Sequence, residues 1–386
     1  MQRTKLVSLM TLLIATACSD SPAPTATSED AQLTVAERAA FREDRVGLVF
    51  VLSNGTLENA VLVFPRGRDG RLGESTSYPT GGRGTGRGLG NQDGLIIDDE
   101  HQMLYGVDAG SDEISAFDIV GGSLRFAQRV SSNGNQPISI AMHDDLLYVL
   151  NDGANSNITG FKVARNGRLD PLEGSTRARS APAGSIDGAQ ISFSPDGNTL
   201  IVTEKAANVI VAYPMLQNGR TGVPRVIPSS GTTPFGFAFT PNGTLIVSEA
   251  FGGAAGASAV SSYAVNRASQ VRLVSGSVPN GESAVCWIVT TRDGALAFAS
   301  NTGSHTVNTY AVHRNGDLSI VANSVVSTGA GSGPVDMALS RQDKYLYVRN
   351  GGNRTISIFM PEPDGTLTPM GTVTGLPAGA NGIVAR

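Results

Sequence analysis

Cysteine is nearly missing from this chain: Cys18 and Cys286 are the two among 386 residues. Two cysteines cannot build a disulfide framework, and a single domain of this size buries about 75% of its unfolded surface without one. Histidine is scarce too, with four residues and no pair at metal-ligand spacing, so a zinc centre is not expected. Basic residues do not gather in sequence. Lys and Arg number 29 against 33 Asp and Glu, the net charge is −4, and basic residues stand in isolated pairs such as Arg83 with Arg87 rather than in runs. That balance disfavours nucleic-acid binding. Long stretches of helical period are absent after residue 45.

Glycine is what the chain has in plenty, 47 residues in all, as a fold of many short strands and turns requires. A pattern recurs through it. The segments QDGLIIDDE (92–100), PISIAMHDD (137–145), DGAQISFSPDG (187–197), PFGFAFTPNG (234–243), AVCWIVTTRDG (284–294) and PVDMALSRQDK (334–344) each run into a second apolar strand. A third strand follows with period-2 alternation, as in EISAFDIV (113–120) and TVNTYAVH (306–313). Then come an Asn-Gly or Asp-Gly turn, which supplies positive φ, and a fourth, more polar strand. The repeat is about 49 residues long, the size of a four-stranded propeller blade. GLVFVLSN (47–54) is a second strand with no opener before it, and ANGIVAR (380–386) is an opener with nothing after it. The two ends therefore share one blade. The expected fold is all-β: a seven-bladed β-propeller of four-stranded antiparallel blades over residues 46–386, closed by its C-terminal strand.

Residues 1–17 read as an export signal: Arg3 and Lys5 precede a short apolar core from Leu6 to Ile14, and Ala15-Thr16-Ala17 leads to Cys18. The arrangement resembles a bacterial lipoprotein box with Cys18 as the lipidated residue. Ser19 after it points to the outer membrane, on its periplasmic side. Residues 18–45, rich in Ser, Pro, Thr and Ala, read as a flexible tether with one short helix at Val35 to Arg42. The membrane is thus expected to be met only through the anchor. Cys286, within AVCWIVTT, is expected to be a buried small apolar residue.

Propeller topology sorts the loops into two faces. Turns from first to second and from third to fourth strands share one, the turn face, where Asp and Asn serve as turn formers. Second-to-third loops and the links between blades share the other, the varied face, where a site is expected. The second strands end there in Ser53 or Asn54, Asp108, Asn151, Glu204, Glu249, Asn301 and Asn350. Glu204 and Glu249, in adjacent blades, could raise each other's pKa and act as acid and base, or be two solvated turn residues. Links between blades add Asp93, Asp187, Gln190, Asp336 and Asn381, and Arg349 could clamp an anion. Trp287 is expected to pack between blades, with lining of the channel floor as the alternative. The run GGRGTGRGLG (81–90) opens no helix and lacks a phosphate-loop Lys, so it reads as a flexible link into the next blade.

The stretches SAVCWIVTTRDGALAFASNTGSHTVNTYAVHRNGDLSIV (283–321) and GPVDMALSRQDKYLYVRNGGNRTISIFMPEPDGTLT (333–368), with the LPAGANGIVAR ending, resemble the β-propeller lactonase family. That family includes propeller-type 6-phosphogluconolactonases and carboxymuconate-cyclase-like proteins. The resemblance implies metal-independent, cofactor-free lactone chemistry by polar residues of the channel mouth. Where relatives carry a Pro-Arg-His-type stretch, this chain has Ile186-Asp187-Gly188-Ala189-Gln190. Two readings stand. In one, a monomeric hydrolase opens a small extracytoplasmic lactone: Glu204 or Glu249 activates water, while Asp187, Gln190, Arg349, Asp336, Asn301, Asn381 and Asp93 bind substrate. In the other, a non-catalytic envelope propeller binds a protein or glycan.

Overall fold

The computed structural model describes residues 45–154, 156–180 and 187–386. The signal, Cys18, the tether helix and Ile186 lie outside the described residues. Seven antiparallel sheets form the ring, and the sheet that joins the chain ends, blade 1, holds the order Thr76–Pro79, Ala60–Gly67, Arg45–Leu52, Asn381–Ala385. The innermost strands of blades 2 to 7 are Leu95–Asp98, Pro137–His143, Gly188–Phe193, Pro234–Phe239, Val285–Thr290 and Pro334–Leu339. The closing strand pairs Ile383 with Val51 and Val384 with Phe50, so the tail is the innermost strand of blade 1 as expected. In blades 3 and 6 the outermost strand is broken in two, both pieces pairing with the third strand. Among the described residues the only helical segment is a 3-10 turn at Phe251–Gly253.

Burial follows the alternation read in the sequence. Second strands such as Met103–Asp108 and Thr199–Glu204 are buried along their whole length, because neighbouring blades cover both of their faces. Outermost strands, such as Arg225–Pro228, are exposed. Tyrosines of the second strands tie blade to blade: Tyr105 Oη donates to Gly167 O at 2.7 Å and Tyr148 Oη to Gly219 O at 2.8 Å. Tyr347 Oη makes the same bond to Gly70 O at 2.8 Å, across the seam between blades 7 and 1. The seam is therefore built like the other blade interfaces.

The Asx-Gly turns divide their labour. In RNGRL, QNGR and PDGTL the glycine carries the positive φ. The Asx side chain instead accepts from the amide two residues on: Arg168 N donates to Asn166 Oδ1 at 3.2 Å, Arg220 N to Asn218 Oδ1 at 3.0 Å and Thr366 N to Asp364 Oδ1 at 2.9 Å. These acidic and amide groups are spent on turns.

Candidate functional site

The site begins with an irregularity shared by the innermost strands. Near its start each bulges, that of blade 2 excepted, so pairing passes from Gly188 to Gln190, from Val285 to Trp287 and from Pro334 to Asp336. An innermost strand has one bare edge, and its amides need acceptors. The residues just past the bulge, or a neighbour, provide them. Ile191 N donates to Ser139 Oγ at 3.1 Å, Phe237 N to Gln190 Oε1 at 2.5 Å and Met337 N to Asp336 Oδ1 at 2.8 Å. In blade 3, Ile140 N donates to Asp93 O at 2.8 Å. Blade 5 has Gly236 at this place, and the gap is filled from the far side of the ring: Gln92 Oε1 accepts Ile288 N at 3.4 Å while its Nε2 donates to Ile288 O at 2.8 Å.

Gln92 can do this because Gly90 to Asp93 cross the propeller axis. Gly90 O accepts Lys205 Nζ of blade 4 at 2.8 Å, Asn91 Nδ2 donates to Ile138 O of blade 3, and Gln92 N donates to Ala189 O at 3.2 Å. The glycine run before it is equally tied. Gly84 N donates to Gly55 O at 2.7 Å and Thr85 N to Asn54 Oδ1 at 2.9 Å, and Asn54 Nδ2 donates to Arg87 O at 2.7 Å and Gly379 O at 3.0 Å. The expected flexible link is thus corrected: residues 84–93 are pinned to four blades. A Cβ on Gly84 would lie 2.2 Å from the Asn54 carbonyl carbon, which is why the run must be glycine there.

Beneath this crossing five of the expected residues meet. Gln190 Nε2 donates to Asp93 Oδ2 at 2.6 Å. Asp336 and Arg349 are register partners on blade 7, and the Arg349 guanidinium donates to Ala380 O, next to Asn381 of the closing strand. Burial pushes the Asp336 carboxyl up to about 8; Arg349 opposes this, Asp93 adds to it, and the amides of Met337 and Ile383 oppose it. Burial likewise lifts Asp93, which is partly buried, to about 6, with the Gln190 donor opposing. Among the described residues, Asn381 Nδ2 and Asn91 Oδ1 are buried without a hydrogen-bonding partner. Both side chains lie at Gly94, where a Cβ would fall 2.5 Å from Asn381 Nδ2 and 2.9 Å from Asn91 Nδ2.

The other expected residues lie elsewhere. Glu249 is fully buried inside blade 5, where Oε1 accepts Ser261 Oγ at 2.6 Å and Gly231 N at 2.7 Å, and Oε2 accepts Ser277 Oγ at 2.7 Å. Glu204, also buried, accepts the Ser180 hydroxyl and, at 3.3 Å, the Ser180 amide. Neither is a solvated turn residue, and each carboxylate is held by donors from its own blade or the link before it. Asn301 is engaged with Asn280 and Asn308 at 3.0 and 2.9 Å. Asp187 is exposed and pairs with Lys205 Nζ at 3.0 Å. Trp287 packs edge-on against Phe235 at 4.7 Å, and Cys286 is buried, both as expected. Sequence reasoning passed over Gln92, Asn91 and Lys205; the signal available was two amides directly before Asp93. Among the described residues no group of three or more His, Cys, Asp and Glu side chains is placed to hold a metal ion.

Comparison with known proteins agrees with this architecture. The family model for the seven-bladed β-propeller lactonases matches residues 50–271 and 256–385. Among solved structures, a candidate 6-phosphogluconolactonase of Bacteroides uniformis is similar with a TM-score of 0.69 at 18% identity, over 87% of this chain and 99% of that one. The Pseudomonas aeruginosa periplasmic gluconolactonase PpgL is similar with a TM-score of 0.67 at 18% identity, over 87% of this chain and 98% of that one. Among curated proteins, none matches in sequence.

Proposed function

Because the chain belongs to the lactonase family of seven-bladed β-propellers, we propose that it hydrolyses a small lactone at the polar cluster on the propeller axis. One observation carries the reading: Asp93 and Asp336 share that cluster with carboxyls lifted to about 6 and about 8. At pH 7 the first is mostly ionised and the second mostly protonated, which is the division between general base and general acid. Asp93 takes a proton from water as the water oxygen bonds to the lactone carbonyl carbon. Asn381 Nδ2, which has no acceptor among the described residues, donates to the developing oxyanion. The Asp336 proton passes to the ring oxygen as the acyl C–O bond breaks, giving a hydroxy acid. Gln190 orients Asp93, and Arg349 holds Asp336 against the closing strand. Side chains supply base, acid and oxyanion donor, so the scheme calls on no metal. Glu204, Glu249 and Asn301 then serve their blades rather than the reaction.

The export signal read in residues 1–17 supports a substrate outside the cytoplasm, with the protein held in the cell envelope by lipid on Cys18. A periplasmic gluconolactonase among the structural neighbours is in keeping with that setting. A second reading, a non-catalytic propeller binding an envelope protein or glycan, is favoured by the amide-capping work that Gln190 and Asp336 already do. A panel of γ- and δ-lactones separates the two. The expected result is turnover that falls about 100-fold or more in Asp93→Asn. Turnover untouched by both Asp93→Asn and Asp336→Asn would remove the assignment, and none on any lactone would favour the binder.

A further inference from the structure

Away from the axis, the turn face carries a cleft of about 920 Å³ at the seam between blades 7, 1 and 2. It is lined by Arg66, Arg68, Arg341, Lys344 and Arg386, and none of its described lining side chains is a carboxylate. No sequence window shows this cluster, because the five cations come from three places: the end of the strand Ala60–Gly67 of blade 1, the first turn of blade 7 and the end of the closing strand. Ring closure assembles it. One nearby carboxylate serves two of the cations, Asp99 Oδ1 lying 2.5 Å from Arg341 Nη2 and 3.9 Å from Arg386 Nε. Arg66 Nη2 donates to Arg386 O at 3.3 Å, and its Nε is buried with no hydrogen-bonding partner among the described residues.

Like charges drawn into one concavity raise its potential, and a matching anion relieves the repulsion. We propose that this cleft binds a phosphate-bearing anion. Several guanidinium forks around one opening suit the multiple charged oxygens of phosphate better than a single carboxylate. The volume is that of a small-molecule site, too compact for the extended basic stripe that nucleic acid requires. Gly121 and Gly122 form part of the wall and leave room for a ligand. Val46 and Gly47 line the same cleft, so the chain enters the propeller at its edge. A segment anchored ahead of residue 45 would turn this face towards a membrane, which makes a phospholipid headgroup one source of the phosphate and a soluble phosphate compound the other.

The test uses the full chain, with inorganic pyrophosphate in isothermal titration calorimetry and with phosphatidylglycerol and phosphatidylcholine vesicles compared in sedimentation. Arg341 and Lys344 are exposed, so the double variant Arg341→Gln, Lys344→Gln keeps the fold, checked by an unchanged Tm. Binding of pyrophosphate that weakens at least tenfold in this variant and in Arg66→Gln, and that fades with salt, is the expected result. A preference for phosphatidylglycerol lost in the same variants identifies the headgroup as the source; pyrophosphate binding without that preference identifies a soluble compound. Either supports the proposal. Binding to neither probe, or binding that all variants retain, overturns it. Lactone turnover is not involved, so the outcome is independent of the axial site.

Discussion

Gln92 occupies the space that a side chain at Gly236 would need: a Cβ there would fall 2.4 Å from Gln92 Oε1 and 2.7 Å from Cys286 O. The glycine in blade 5 and the glutamine ahead of blade 2 are therefore one device. Where the other blades cap a neighbour's edge amide locally, this one is capped by a residue that reaches across the axis and locks the crossing segment in place.

Gly236→Ala is expected to destabilise the protein by about 1–3 kcal/mol, since both contacting groups are fixed. Gln92→Ala is expected to cost a similar amount by leaving both polar groups of Ile288 buried and unpaired, about 1–3 kcal/mol. Combining the two should cost less than the sum, because the alanine methyl then enters vacated space. Urea melts of the three variants check this; strict additivity would show that the two residues are not coupled.

Glu249 lies among donors: two serine hydroxyls and the Gly231 amide reach its oxygens at 2.6 to 2.7 Å. Glu249→Gln replaces one acceptor oxygen by an NH2 facing those donors. A loss of about 1–3 kcal/mol in stability is expected, with kcat on any lactone substrate unchanged while the protein is folded. A variant that melts like the parent but has lost turnover would return Glu249 to the reaction.

The fold was legible because each blade repeats the same apolar alternation and turn chemistry, and because the tail ANGIVAR repeats the opener of the other blades. The axial residues Asp93, Gln190, Asp336 and Asn381 were legible in part: they stand at or just before the start of an innermost strand, where backbone amides look inward. Glu204 and Glu249 attracted notice as acidic breaks in a row of asparagines. Their register puts them within the sheets, where acid and amide alike accept hydroxyls from their own blade. Gln92 could not be read, because its role depends on Ile288, 196 residues away, and on the absent side chain of Gly236. The cation cleft was hidden for the same reason; its members are neighbours only after the ring closes.

The two lifted carboxyls make stability depend on pH. Each has a folded pKa above the ordinary 3.8, about 6 for Asp93 and about 8 for Asp336. Their contribution is full below pH ~4, where both states are protonated, and is lost as pH rises through 6 and 8. The Tm of the parent is thus expected to fall relative to Asp336→Asn steadily between pH 4 and 8, about half of the divergence arising below pH 6, and to level off above pH 8. A difference that stays constant over that range would mean that Asp336 is ionised throughout. In the same range kcat/KM for a lactone should rise through about 6 and fall through about 8, as base and acid titrate.

The closing strand yields the strictest test of the architecture. Ile383 is 4% exposed, pairs with Val51 and lies between the innermost strands of blades 7 and 2. Arg349 and Asp336 of blade 7 reach the same strand through Ala380 O and the Ile383 amide. Deleting residues 380–386 bares the edge of Arg45–Leu52, removes the Ala380 acceptor of Arg349 and leaves the Asp336 carboxyl without the Ile383 amide. Burial of Ile383 alone is worth about 1.5–3 kcal/mol, and the lost strand pairing adds to it. The truncated chain should lose its single cooperative melting transition, starting at blades 1 and 7. Ile383→Ala, which keeps the strand, should remain cooperative at a cost of about 2–5 kcal/mol. Truncation that leaves the transition single and its midpoint unmoved would mean that the other blade contacts, Tyr347 to Gly70 among them, hold the ring without this strand.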